Sequence, residues 1–185
     1  HTTNILAVNS MAYHLAYNKK SLEATNTKTA VRGNEVIKSP TTLDLVLLSY
    51  SLRSEEPPYE KIADEKTVGI SSEFKREREK QATIDQLKSK YKSIENVGFI
   101  EVSAPTLLTG YDKQASGFWL PIFRTNQRLA IASDINGFSA DITFSNASTA
   151  AIFKIDPTTA ENFIEKHGQN VEIIIRALLD KAESR

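Results

Sequence analysis

Residues 128–145 read RLAIASDINGFSADITFS, and this stretch decides the fold class. Phe138, Ala140, Ile142 and Phe144 alternate with Ser139, Asp141 and Thr143. A period of two puts the apolar set on one face of a strand and the polar set on the other, as in an antiparallel sheet with one wet face. Asn136-Gly137 separates this run from Arg128–Asp134. Asn-Gly supplies the two positive φ angles of a type I′ turn, so the pattern predicts a tight hairpin.

Further strands flank the hairpin. Phe99–Ser103 alternates as a short strand. Gly117–Phe123 is aromatic-rich, with Phe118, Leu120 and Ile122 on one expected face and Trp119 and Phe123 on the other. Pro121 inside it marks an edge strand or a bulge. Asn146–Ser148 reads as a turn, and Ala151, Phe153 and Ile155 as a strand. Asp156-Pro157 then opens a helix with a cap and a proline at its first position, and His167-Gly168 closes it. Residues 171–179 fit both periods, but the β-branched run Ile173–Ile175 favours a strand.

The chain before Gly98 reads as helical. Ile5, Val8, Ala12 and Leu15 recur at helical spacing, which predicts a helix over 4–18. Residues 21–38 are polar and read as a loop with a turn at Gly33-Asn34. Ser39 as cap and Pro40 at the first position predict a helix ending near Arg53, with Leu43, Val46, Leu47 and Tyr50 as its stripe. Residues 54–70, with Pro57-Pro58 and a charged run, read as an extended surface loop. A long helix then runs from Ser71 or Ser72 to about Ile94. Its first half is nearly all charge apart from Phe74, the pattern of a solvated face laced by ion pairs. The expected architecture is α+β: N-terminal helices packed on a mostly antiparallel C-terminal sheet with one inserted helix. Residues 1–185 read as one domain, with a helical half over 1–97 and a sheet-rich half over 98–185.

Composition narrows the function classes. The 185 residues carry 23 basic and 23 acidic side chains, so no basic excess points to nucleic acid. The absence of cysteine excludes a disulfide framework, a thiolate zinc site and a cysteine nucleophile. No apolar run is long enough for a transmembrane helix. The first residue is His1 rather than Met, which leads us to expect a processed form whose signal peptide or lipid anchor has been removed. Cytoplasmic placement is the alternative.

Catalytic templates find no match. The sequence has no glycine-rich phosphate loop, no Gly-x-Ser-x-Gly elbow and no His-Glu-x-x-His pair. Asp134-Ile135-Asn136-Gly137 starts like a calcium loop, but Ser145 stands where the closing Glu is needed. His167 at a helix C-terminus has a structural explanation, and His14 falls on the first expected helix. No catalytic residue, metal site or cofactor is therefore assigned. Asn146-Ala147-Ser148 is a glycosylation sequon, relevant only in a eukaryotic secretory setting. Trp119, Arg124, Arg128 and Tyr111 are the candidates for ligand or interface contact, since Trp and Arg dominate binding energetics.

Several features resemble an uncharacterised family of bacterial exported proteins, a domain of unknown function. They are Ser72-Glu73-Phe74 opening a charged helix, Tyr111-Asp112 followed by Gly117-Phe118 and Leu120-Pro121, and Asp156-Pro157 through Ala160-Glu161-Asn162-Phe163 before a β-branched segment. The resemblance implies an envelope location and carries no activity or site residue with it. Three readings stay open. The leading one is a non-enzymatic binding module for a protein or small ligand, with a homo-oligomer through Trp119 and its edge strand as a further expectation. The second is a hydrolase with a site assembled from His14, Asp112 and Glu101. The third is a structural envelope protein.

Overall fold

The computed structural model describes the strand pairing of residues 2–17 and 20–25, and residues 32–124 and 126–184 in full. The larger sheet contains β1 (Thr2–Tyr17), β2 (Lys20–Thr25), β3 (Glu35–Lys38), β4 (Val97–Leu107), β7 (Leu129–Ile131), β8 (Phe138–Phe144) and β10 (Asn170–Ser184). Its order is β3-β4-β10-β1-β8-β7, with β2 also paired to β1. β3/β4 and β1/β8 are parallel, and the remaining pairs are antiparallel. A smaller sheet runs β5-β6-β9, from Tyr111–Asp112, Gly117–Trp119 and Ile152–Lys154. The fold is thus α+β with mostly antiparallel sheets.

The alternation in β8 predicted its burial: Phe138, Ala140, Ile142 and Phe144 are buried, and the residues between them are half-buried. β4 buries Ile100, Val102 and Ala104, and β10 buries Val171, Ile173, Ile175 and Ala177. The strand assignment of 171–179 therefore holds. α1 (Thr42–Arg53) packs on β1, β8 and β10 and also meets α3 (Glu73–Ser93). It buries Leu43, Leu45, Val46, Leu47 and Leu48, an apolar surface wrapped well beyond one stripe, as a helix enclosed by its neighbours requires.

Four expectations are corrected. Residues 4–18 form no helix: they lie in β1, at the centre of the sheet. The register against β10 shifts between Ala7 and Val8 and between Ser10 and Ala12. The first shift falls on Asp180 of β10, while the second leaves Met11 as an extra residue in β1 and so breaks the strict period of two along this segment. The polar segment 21–38 holds β2 and β3, so the chain before residue 97 supplies strands as well as helices. Residues 54–70 contain α2 (Tyr59–Thr67), which buries Tyr59, Ile62, Ala63 and Thr67 along one face. Finally, Asn136-Gly137 is no type I′ turn. Only Gly137 has positive φ, and the last pair of the hairpin is Ile131↔Ala140, which leaves a longer connection.

The long helix begins as expected, with Ser72 capping Lys75 N–H. All residues from Glu73 to Glu79 are exposed, and Phe74 is 91% exposed. Further along, Lys80 bridges Glu60 and Asp64 of α2 at 2.9 and 2.8 Å. A single helical turn, α4 (Ala147–Ala150), occupies the turn expected at Asn146–Ser148, and α5 (Pro157–His167) starts on Asp156, whose carboxylate accepts from Thr159 N–H at 2.9 Å.

The start of α1 moves from Ser39 to Thr41. Ser39 is held at φ 47 and donates its N–H to the Glu101 carbonyl of β4. Thr41 and Asp44 form a reciprocal box instead: Asp44 N–H donates to the Thr41 hydroxyl at 3.2 Å, and Thr41 N–H donates to the Asp44 carboxylate at 2.9 Å. Lys90 of α3 adds an ion pair at 2.6 Å. Burial pushes the Asp44 carboxyl up, but the hydrogen bonds from Lys90 and Thr41 and the Lys90 charge outweigh it and hold the group below its usual range. A depressed folded value means stability that is complete above the unfolded pKa of about 3.9 and lost as pH falls through the folded one. Asp44→Asn should therefore cost about 1 kcal/mol at pH 6, the scale of a cap and a half-exposed pair. Urea midpoints for both proteins between pH 6 and pH 2.5 check this. The gap should close on acidification, and a constant gap would show that ionised Asp44 contributes nothing.

Candidate functional site

After Leu107 the chain leaves β4 and enters the small sheet. Gly110, at φ 61, makes the turn into β5. The pairing of β5 with β6 covers Tyr111↔Phe118 and Asp112↔Gly117 and stops there. On the β5 side Trp119 has no strand partner, although it pairs with Ile152 of β9, and it lines the same pocket as Thr109. Tyr111 is a brace. Its hydroxyl donates to the Ile155 carbonyl at 2.8 Å, and its ring meets Phe118 edge-on at 5.4 Å.

Asp112 fixes the tryptophan. One carboxylate oxygen accepts the N–H groups of Gln114 and Ala115 at 2.8 and 2.9 Å, and the other accepts the Trp119 indole N–H at 3.0 Å. The backbone bond from Ala115 and the indole bond hold the Asp112 carboxyl below its usual range. The indole is thereby held by its polar edge while half of the residue, 50%, stays exposed. β6 is the central strand of its sheet, paired with β9 on its other side, so the edge-strand expectation for Trp119 is corrected.

Pro121 ends β6 rather than marking a bulge within it. Its fixed φ starts a 3-10 turn, Pro121–Phe123, anchored by Leu120 N–H on the Ala151 carbonyl at 2.8 Å. That turn changes which way the side chains point. Phe123 was expected beside Trp119, yet it is 1% exposed and packs edge-on against Phe144 at 4.8 Å. Arg124 follows on the surface with no ion pair or side-chain hydrogen bond among the described residues. Arg128 meets Asp141 of β8 at 3.5 Å.

The turn forms a ridge between two concavities. On one side is a pocket of about 380 Å³ whose lining includes Thr109, Trp119, Leu120, Phe123, Arg124 and Ser148. On the other, about 390 Å³ lies between Pro121–Ile122 and the Pro105–Leu107 end of β4, with Arg124, Gln127 and Arg128 at its margin. A third, open depression of about 520 Å³ lies over the paired ends of β4 and β10, along Pro105–Leu107 and Asn170–Glu172. Neighbouring concavities share lining residues, Pro105–Leu107 in one case and Pro121 and Arg124 in the other, and together they make up the candidate groove. Leu107 and Trp119, two of the four large apolar side chains left exposed among the described residues, border it.

The structure thus gathers Trp119, Arg124 and Arg128 around one groove and places Tyr111 as a brace for the strand that carries Trp119. Sequence reading missed Thr109, Ser148 and Pro105–Leu107, which come from separate elements. The usable signal was Pro121, which forecasts a break in the strand and a ridge. The dispersed hydrolase set is not assembled at the groove. Asp112 is committed to Trp119, Glu101 lies in register with Lys38 and Arg176, and neither lines these concavities. The side chain of His14 lies outside the described residues, and its backbone is in a strand rather than a helix. His167 ends α5 as expected, its ring against Phe163. Among the described residues no group of acidic, His or Cys side chains is placed to hold a metal, and no helix is long and apolar enough to cross a membrane. Comparison with protein families, with characterised proteins and with solved structures gave no match.

Proposed function

We propose that this chain is a non-enzymatic binding module of the bacterial cell envelope that takes its ligand on the groove over Pro121–Arg124. One observation carries the reading: a half-exposed indole, held by its N–H, stands with a guanidinium that has no ion pair among the described residues at the rim of an apolar pocket. An aromatic ring already fixed in place loses little freedom on binding, and such rings dominate contact energies. The groove volumes fall in the range of ligand sites. The envelope location is supported by the resemblance carried by residues 72–179, and detection in fractionated source cells checks it.

Trp119 is the sole tryptophan, so its fluorescence reports on the site directly. Peptides and neutral oligosaccharides titrated into the protein should include at least one that shifts this emission saturably. Trp119→Ala, read by calorimetry, should weaken that ligand by roughly 30-fold, the scale of a binding hot spot. Turnover of chromogenic ester, amide or glycoside substrates that disappears in Asp112→Asn would overturn the reading in favour of an enzyme.

A further inference from the structure

We infer that the groove takes an extended acidic peptide, with an apolar side chain in the pocket beside Trp119 and a neighbouring carboxylate on Arg124. The inference rests on the binding-module reading and names its partner class. The row of concavities is the first argument. Adjacent ones share lining residues, from the paired ends of β4 and β10 past the Pro121–Ile122 ridge to Trp119, an arrangement that suits an extended chain rather than a compact molecule. Lining chemistry is the second. Leu120, Phe123 and Ala151 line the pocket beside Trp119, an apolar receptacle of about 380 Å³ with room for a large side chain and its flanking backbone.

Charge is the third argument. Of the two arginines at the groove, Arg128 already meets Asp141 at 3.5 Å. Arg124 lines both neighbouring concavities and meets no carboxylate among the described residues, so it is the cation available to an incoming group. A guanidinium offers a planar fork that takes a carboxylate through two hydrogen bonds. The acidic residue and the apolar anchor must therefore lie close together in the ligand.

The test uses labelled dodecapeptide pools with randomised flanks and a central Leu with Glu or Gln one or two residues away, read by fluorescence anisotropy. The Glu pool should bind about tenfold tighter than the Gln pool, as expected for a charge-assisted hydrogen bond. Arg124 is exposed, so Arg124→Glu should leave the melting temperature unchanged, abolish that preference and favour a Lys pool instead. Equal binding of the Glu and Gln pools, or a Glu preference that survives Arg124→Glu, overturns the inference and leaves the module reading intact. Failure of every peptide pool, together with saturable quenching of Trp119 by a neutral oligosaccharide, does the same. If neither class changes Trp119 emission, both fall.

Discussion

Phe123→Ala should destabilise the protein by about 3–5 kcal/mol and remove the wall that the proposed ligand pocket shares with the core. The residue is 1% exposed, and its ring meets Phe144 edge-on at 4.8 Å. Truncation removes the apolar surface and that ring contact, and it leaves a void next to the ridge. Because Phe123 sits one residue before Arg124 and lines the Trp119 pocket, the same change should abolish ligand binding in whatever protein remains folded. Urea unfolding followed by far-UV circular dichroism gives the stability, and Trp119 emission gives the site. Phe123→Leu should recover most of the stability. A loss below about 1 kcal/mol in Phe123→Ala, where core truncations of this size normally cost several, would mean the ridge can collapse onto the core and is not fixed by this ring.

Gly98→Ala should cost about 3 kcal/mol, the upper end for overpacking, because the obstacle is backbone and cannot rotate away. A methyl group on Gly98 would strike the Gly33 carbonyl, and one on Gly33 would strike the Asn96 carbonyl. The β3/β4 register explains the crowding. Glu35 pairs with Val97 and Val36 with Phe99, so Gly98 is the extra residue of a bulge. Arg32 ties the same corner down through Ser51, Ile94 and Glu95. Loss of that corner should show as faster amide exchange in Val36–Lys38 alongside the lower urea midpoint. Gly69→Ala is the control: nothing lies near its added carbon, and it should change stability by less than about 1 kcal/mol. Matching effects at the two glycines would show that the close approach carries no weight.

How much of this was legible in the sequence depended on whether a period ran uninterrupted. β8 and β10 alternate without a break on the buried face through Ala177, and α3 and α5 carry their own caps, so all four were readable. β1 was not, because an extra residue at Met11 interrupts its period of two and Ile5, Val8, Ala12 and Leu15 fall at helical spacing. α2 was obscured by Pro57-Pro58 before it and by its charged outer face, although Tyr59, Ile62 and Ala63 carry the period. At the site, residue type alone pointed to Trp119, Arg124 and Arg128. It could not show that Asp112 pins the indole, or that Thr109, Ser148 and Leu107 complete the walls, since those contacts join segments far apart in the chain. The direction of Phe123 was misread because a strand period was carried across Pro121, where the backbone turns.

The position of β1 has a consequence for how the molecule comes together. It stands early in the chain, yet both of its long neighbours, β8 and β10, come from the last third, and only β2 lies close by. During synthesis the ribosome has to deliver nearly everything through residue 184 before the centre of the sheet can zip up. Until then only Ala12–Tyr17 has its partner, in β2, and the rest of β1 is an unmatched ribbon, the kind of segment that holding chaperones recognise.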